Sequence, residues 1–105
     1  MSAYAALTQR VADLDRYMGD YIPQVMPLLQ KHGIDVLVAH FGAPAIEGSS
    51  DSLIILRAES EETLRNFDDD PDYAGPKTLR QSITSDANMV FAPEFALSGS
   101  ANTSS

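Results

Sequence analysis

The stretch Ile34-Asp-Val-Leu-Val-Ala-His-Phe41 decides the fold, because it predicts a β-strand that is apolar on both sides. Successive side chains of a strand point to opposite faces, so alternate residues share a face. One face is expected to carry Ile34, Val36 and Val38, and the other to carry Leu37, Ala39 and Phe41. A strand of this kind predicts a sheet that must be covered on both of its faces.

Strand and helix patterns alternate along the rest of the chain. Further strands are predicted over residues 2–9, 53–56 with an extension to 58, and 88–95. Helical periodicity runs from Asp13 to Gly33, and a second helical region begins at Ser60, breaks at Asp70-Pro71 and resumes over residues 73–83. The order β-α-β-β-α-β predicts an α+β fold, in which two right-handed crossover units interleave into a four-stranded antiparallel sheet with helices on one face.

Two prolines interrupt the first helical pattern. Pro23 and Pro27 each lack an N–H group and clash with the carbonyl four residues earlier, at a cost of ~3 kcal/mol relative to alanine. We expect a bend near residues 19–23, or a break after which Pro23 opens a second helical segment. The structural interpretation is curvature around the sheet, and the functional one is that the freed carbonyls line a pocket.

The face of the sheet that lacks helices is predicted to be an interface. The helices can cover only one of the two apolar faces, and a large uncovered apolar face marks an interaction site. A second copy of the chain, packed sheet to sheet about a two-fold axis, is the simplest cover. The sequence therefore predicts a homodimer.

Composition narrows the class of protein. The chain has 105 residues, and its 15 acidic against 7 basic side chains give a formal charge of −8, which argues against nucleic acid and anionic membrane surfaces as partners. It has no cysteine, and no apolar run approaches the ~20 residues of a membrane-spanning helix. We expect one cytoplasmic domain over residues 1–97, followed by a disordered polar tail over residues 98–105.

Several short motifs carry a resemblance to a known family. They are the pair Tyr17 and Tyr21, the run Pro27-Leu-Leu-Gln-Lys-His-Gly33, Ile46-Glu47-Gly48, the 53–56 strand, and Asp70-Pro-Asp-Tyr73 followed by Lys77 and Arg80. In order and spacing, over roughly residues 3–95, the chain resembles domain-of-unknown-function family 1330. Those uncharacterised bacterial proteins belong to the dimeric α/β-barrel superfamily, whose protomers are ferredoxin-like.

The resemblance implies a pocket between the sheet and the helices, without implying one reaction. The wider superfamily includes cofactor-free isomerases, polyketide cyclases and monooxygenases, together with haem enzymes. The chain departs from the family pattern at Gly33-Ile-Asp35, where relatives often have Gly-Gly-Arg. It also departs at Arg57-Ala-Glu-Ser60, where they often have an aromatic residue and Pro-Ser, so a relative's ligand preference does not transfer.

Six side chains are candidates for a functional site. The catalytic candidates are His40 and Tyr73, because imidazole exchanges protons near neutral pH and a phenol donates hydrogen bonds. The substrate-binding candidates are Tyr17 and Tyr21 as hydroxyl donors and Arg57 and Arg80 as anion clamps.

Each candidate also has a purely structural interpretation. His40 could be hydrogen-bonded at the dimer interface or a strand edge, and the tyrosines could be core residues. Arg57 could pair with Glu59 or with an acidic residue of a neighbouring element, and Arg80 could hold the segment 68–72 by charge. His32 is expected to contact the last carbonyls of the first helix.

No metal or cofactor is expected. The acidic run over residues 68–72 has the spacing of the first ligands of an EF-hand, but Tyr73 and Leu79 stand where glycine and glutamate are needed. Two histidines without a cysteine give poor support for zinc or haem.

The favoured functional hypothesis is a homodimer that binds a small organic ligand and acts as a cofactor-independent isomerase, cyclase or lyase by proton transfer. One alternative is a non-catalytic ligand-binding or interaction module, which predicts packed tyrosines and no cavity of about 300 Å³ or more. The other alternative is a cofactor-free monooxygenase.

Overall fold

The computed structural model describes residues 2–42 and 45–95, so the tail predicted over residues 98–105 lies outside it. The strands are β1 (Ala3–Val11), β2 (Asp35–Phe41), β3 (Ser52–Ala58) and β4 (Thr84–Pro93). The helices are α1 (Leu14–Arg16), α2 (Ile22–Lys31), α3 (Glu61–Asp68) and α4 (Ala74–Ile83), with a π-helical turn at Tyr17–Tyr21 and a 3₁₀ turn at Pro71–Tyr73. The predicted order of strands and helices is confirmed.

The four strands form one antiparallel sheet in the order β2-β3-β1-β4. The two strands that each helical connection joins are not neighbours, which is the interleaved arrangement of a ferredoxin-like fold. Along β1 the buried residues alternate as Ala3, Ala5, Leu7 and Gln9, so this face of the sheet packs against the helices. The predicted fold class is confirmed.

The first helical region contains a π-helical turn just before Pro23. The Asp13 carboxylate accepts a hydrogen bond from the Arg16 N–H and begins α1. In the π-helical turn that follows, the Ile22 N–H bonds the carbonyl of Tyr17, five residues earlier. Pro23 then lies in the first turn of α2, where its missing N–H costs little, and Pro27 lies inside the helix. The backbone stays helical from Arg16 through Ile22, so the expected break at Pro23 does not occur, and the irregularity is a π-helical turn between two α-helical segments.

The second helical region begins at Ser60, whose hydroxyl accepts from the Thr63 N–H. It breaks before Pro71, and the Asp70 carboxylate caps the 3₁₀ turn through the Asp72 N–H. Helix α4 passes directly into β4. The core lies between the helices and the inner face of the sheet, and its most buried large side chains are Tyr17, Leu64 and Gln9.

A bulge in β2 makes the observed side-chain alternation differ from the predicted one. Val36 pairs with Leu56, whereas Val38 pairs with Ile55, so Leu37 is an extra residue opposite β3. Leu56 and Ile55 are adjacent residues of a regular strand and point to opposite faces, and so do Val36 and Val38. The prediction that Val36 and Val38 share a face is therefore wrong, because the extra residue shifts the alternation.

The outer face of the sheet, away from the helices, carries a row of small and apolar side chains. Val38, Ile55, Ala6 and Val90 are consecutive partners across all four strands. Val90 is 60% exposed in the single chain. Across residues 2–42 and 45–95, no helix has the length and apolar character needed to span a membrane.

Candidate functional site

A small cavity of about 90 Å³ lies between the helices and the inner face of the sheet. Its walls are almost entirely apolar, and the sheet contributes Val36, Ala39, Ile54 and Met89 among others. Val36 and Met89 are 37% and 39% exposed, so they lie at its opening to solvent. The three tyrosines that the sequence singled out complete the helix side of the wall.

The π-helical turn places two of those tyrosines in the core. Tyr17 and Tyr21 are its first and last residues, and their ring centroids lie 4.9 Å apart. Tyr17 also packs edge to face on Phe41 at 5.1 Å, while Tyr73 packs on Phe67 at 4.5 Å. The three tyrosines are at most 5% exposed. A π-helical turn often marks a functional site, because its geometry is costly in an otherwise regular helix.

Their hydroxyl groups belong to a buried polar network. The Tyr21 and Tyr73 hydroxyl oxygens lie 2.8 Å apart, and the Tyr17 hydroxyl accepts from Gln9 Nε2 at 2.9 Å. The Gln9 Oε1 atom accepts a longer bond of 3.4 Å from Arg80 Nη1. We call Gln9, Tyr17, Tyr21, Tyr73 and Arg80 the tyrosine–arginine cluster.

The protonation states of this cluster follow from burial. Burial raises the pKa of Tyr17 and Tyr21 above the ordinary value, so both phenols stay neutral and act as hydrogen-bond donors rather than bases. Burial opposes the charged form of Arg80, but the nearby hydroxyls, that of Tyr73 foremost, outweigh it and raise its pKa. The cluster therefore presents one permanent cation beside the neutral phenols of Tyr17 and Tyr21.

The structure brings four of the six predicted site residues together and separates the other two. Tyr17, Tyr21, Tyr73 and Arg80 form the cluster, whereas His40 pairs with Leu53 on the outer face of the sheet. Its imidazole is thus separated from the cavity by the sheet, so His40 and the tyrosines do not form one site.

Arg57 also lies on the outer face. Its Nη2 atom contacts Asp35 Oδ2 of the neighbouring strand β2 at 3.0 Å. This ion pair confirms the structural alternative for Arg57, a bridge to an acidic residue of an adjacent element. Both side chains are well exposed, so the pair contributes little stability.

Sequence reasoning missed Gln9, although it joins Tyr17 to Arg80. Its side chain is fully buried at the inner face of β1. Its position in β1 could have identified it. Gln9 continues the alternation of the inward-facing residues Ala3, Ala5 and Leu7, and it is the only strongly polar residue among these four. A polar residue at a core position of a central strand predicts a buried partner.

A second polar group holds the segment that precedes Tyr73. The buried Asp70 Oδ2 atom lies 2.9 Å from Lys31 Nζ and 2.7 Å from His32 Nε2. The prediction that His32 contacts the last carbonyls of the helix is wrong, because its ring instead packs on Phe67 and bonds this carboxylate. These bonds tie the end of α2 to the turn that carries Tyr73.

The same contacts shift the pKa values of the charged groups around this turn. The hydrogen bond to His32, followed by those from the Asp72 N–H and Lys31, lowers the pKa of Asp70 well below its usual range. The bond to Asp70 in turn raises the pKa of Lys31. Arg80 was expected to hold the segment 68–72, but Lys31 and Lys77 do so instead, the latter at 3.0 Å from Asp68.

No group of three or more metal-ligating side chains occurs in the part of the chain that the structure describes. The two histidines also lie far from each other, because His32 bonds Asp70 and His40 lies on the outer face of the sheet. The cavity itself offers an apolar surface, and the hydroxyls and the positive charge belong to the adjoining tyrosine–arginine cluster.

Comparison with known proteins identifies the family. Residues 2–95 match the family described as Domain of unknown function (DUF1330). The chain belongs to the DUF1330 family. This confirms the resemblance that the motifs suggested, while no curated protein matches this DUF1330 chain.

Solved structures similar to this DUF1330 protein show the same fold. A protein of unknown function from Rhodopseudomonas palustris is 16% identical, with a TM-score of 0.71 over 91% of this chain and 84% of that one. An uncharacterized NIPSNAP domain protein from Burkholderia xenovorans is 10% identical, with a TM-score of 0.62 over 92% and 97%. A dimeric ferredoxin-like protein of unknown function from Thermobifida fusca is 22% identical, with a TM-score of 0.53 over 92% of each chain.

Proposed function

We propose that this DUF1330 protein is a homodimer that binds a small, largely apolar organic molecule between its helices and its sheet. The observation that carries the proposal is the apolar cavity of about 90 Å³ whose wall includes the rings of three buried tyrosines. Ligand sites are typically concave and apolar, with a few polar groups that fix orientation. Here the three tyrosines that line the cavity carry hydroxyls of the tyrosine–arginine cluster, which are the polar groups nearest to it.

The size of the cavity limits the ligand. It is well below the roughly 300–1,000 Å³ of sites for drug-sized molecules, so the ligand has only a few non-hydrogen atoms. The same small volume favours the second candidate function, an interaction module whose tyrosines serve only the core. The two candidates differ in whether a small molecule enters the cavity.

Catalysis by proton transfer is a more specific version of the ligand-binding proposal. Arg80 and the phenols suit the stabilisation of an oxyanion such as an enolate, which forms when a proton leaves the carbon beside a carbonyl. His40 lies on the other face of the sheet and is not placed to take that proton from a ligand in this cavity. Isomerase, cyclase or lyase activity is therefore a narrower proposal than ligand binding.

The homodimer is proposed on two grounds. The outer face carries the row Val38, Ile55, Ala6 and Val90, which has no cover within the described part of the chain. The T. fusca protein of the same fold is described as dimeric. Two sheets packed on these rows bury them, and the packing brings His40, in the next row, to the interface.

Binding is tested by protein-observed NMR with a library of small neutral and anionic molecules, after native mass spectrometry of the purified protein for a retained ligand. The Ala39→Leu variant fills the cavity from the β2 side, and Ala12→Leu makes the same change at an exposed position outside it. We expect ligands whose binding Ala39→Leu abolishes and Ala12→Leu preserves. Absence of any such ligand would support the interaction module, and oxygen consumption with quinols would instead indicate a monooxygenase.

The dimer is tested separately by sedimentation at micromolar concentration. Val90→Asp places a charge on the outer face, in the edge strand β4, whereas Leu14→Asp places one at a 44% exposed position on α1. We expect a dimer for the wild type and for Leu14→Asp, and a monomer for Val90→Asp. A well-folded wild-type monomer contradicts the proposed assembly.

A further inference from the structure

Arg80 is a buried cation that has no anionic partner among the described residues. Its side chain lies in the core, with the residue only 5% exposed. All 15 acidic side chains belong to the described residues, and none of them lies within 4.0 Å of the guanidinium. Buried charges are normally paired, because the loss of hydration otherwise goes uncompensated. Within residues 2–42 and 45–95, the fold therefore keeps a positive charge that no carboxylate side chain neutralises.

The cluster also has more hydrogen-bond donors than acceptors. Arg80 Nε is buried and has no partner among the described residues. The Tyr17 hydroxyl accepts from Gln9, and no hydrogen bond within the described residues uses its own proton. Whichever of Tyr21 and Tyr73 donates in their mutual bond, the proton of the other is left over. The group that would complete this network is thus an acceptor and not a donor.

A carboxylate meets both requirements. Its two oxygens accept hydrogen bonds only, they offer about four lone-pair sites, and the group carries the negative charge that Arg80 lacks. Arginine binds carboxylates through two parallel N–H groups, which adds geometric selectivity to the charge attraction.

The position of the cluster connects it to the cavity. Tyr17, Tyr21 and Tyr73 contribute ring atoms to the apolar wall, and their hydroxyls belong to the cluster with Arg80. A ligand with an apolar body and one terminal anionic group can therefore satisfy the cavity and the cluster together. Arg80 and Gln9 are not among the residues that line the cavity. We infer that the anionic group reaches Arg80 by replacing the bond between the Tyr21 and Tyr73 hydroxyls.

We propose that the natural ligand is a small monocarboxylate, whose apolar part fills the cavity and whose carboxylate binds Arg80 and the tyrosine hydroxyls. This inference rests on the proposed function and names the chemical class of its ligand. Arg80 is a binding residue here, and the tyrosines both line the cavity and donate to the ligand.

The test compares anions with neutral molecules of the same shape. Isobutyrate is titrated against isobutyramide, and benzoate against benzamide, into the isotopically labelled wild-type protein at constant ionic strength, with NMR shifts as the readout. We expect each carboxylate to bind about tenfold more tightly than its amide, because hydrogen bonds to charged groups exceed neutral ones. Equal affinity of the acid and the amide would overturn the anion site.

Variants assign the preference to Arg80. Arg80→Met keeps the apolar stem and removes the charge, and Arg16→Met makes the same charge change at an exposed position on α1. We expect Arg80→Met to lose at least about tenfold in carboxylate affinity while amide affinity is unchanged, with Arg16→Met resembling the wild type. Tyr17→Phe, which keeps the ring but removes a donor, should weaken carboxylate binding alone, and it serves if Arg80→Met does not fold.

Stability gives an independent readout. Without ligand, Arg80→Met is expected to melt at the same temperature as the wild type or higher, because it removes an unpaired buried charge. A large loss of stability in Arg80→Met, together with full carboxylate affinity in Tyr17→Phe, would make Arg80 a structural residue and refute the proposal. If the wild type binds acids and amides equally and Ala39→Leu blocks both, ligand binding stands and only the anion site fails.

Discussion

The bond between the Tyr21 and Tyr73 hydroxyls is expected to make their phenylalanine substitutions strongly non-additive. The two oxygens lie 2.8 Å apart, and the residues are 5% and 2% exposed. Tyr21→Phe removes the bond and leaves the Tyr73 hydroxyl without it, so we expect a loss of about 1–2 kcal/mol of unfolding free energy. We expect a similar loss for Tyr73→Phe, about 1–2 kcal/mol, because it breaks the same bond and leaves the Tyr21 hydroxyl without it.

The stability of the double variant measures the coupling between the two hydroxyls. Once Tyr73→Phe has removed one partner, Tyr21→Phe breaks no further bond and also removes an unpaired buried hydroxyl. We therefore expect the double variant to be about as stable as Tyr73→Phe alone, which corresponds to a coupling energy of about 1–2 kcal/mol.

Urea unfolding followed by circular dichroism measures the cycle at one fixed protein concentration, since unfolding of a dimer depends on concentration. The slope of each transition must match that of the wild type, so that the free energies are comparable. Additive losses within about 0.5 kcal/mol would refute the reasoning, because they would mean that each hydroxyl has a separate partner.

Three further predictions concern the frame around the site. Leu64→Ala, in the core, should lower the unfolding free energy measured in urea by about 3 kcal/mol. Leu37→Ala, at the exposed bulge, should lower it by less than about 1 kcal/mol. Similar losses for the two variants would contradict the assigned burial. The lowered pKa of Asp70 means that the folded state binds fewer protons than the unfolded state, so stability should fall as the pH drops below about 5. Asp70→Asn should flatten that slope in a pH series of urea titrations, and an unchanged slope would exclude Asp70 as its source. Ser60→Ala should cost about 1 kcal/mol through loss of the helix cap, and Ser60→Thr should recover most of it.

The sequence predicts features that depend on neighbours along the chain. Proline chemistry indicates an irregularity near Pro23, which the structure has as a π-helical turn, and a hydroxyl before two carboxylates indicates the start of α3 at Ser60. Both follow from local backbone hydrogen bonds and need no knowledge of the tertiary structure. The order of strands and helices, and with it the fold class, was predictable for the same reason.

The site depends on contacts between distant residues and was only partly predictable. The bond between Gln9 and Arg80 joins residues 71 positions apart, so neither periodicity nor a local motif marks it. The face of His40 depends on the bulge at Leu37, which arises from the pairing of β2 with β3. The tyrosines could be named as candidates, but their arrangement around a buried cation required the packed structure.

The two outermost strands of the sheet are both irregular, and this bears on how the protein can associate. Strand β2 contains the bulge at Leu37, while β4 changes register against β1 between Thr8 and Arg10, next to Asp86 with its left-handed φ of 54°. Irregular edge strands pair poorly with another strand, because their free N–H and C=O groups no longer form a straight row. We therefore expect the protein to resist fibre-like growth by strand addition, even when it is highly concentrated.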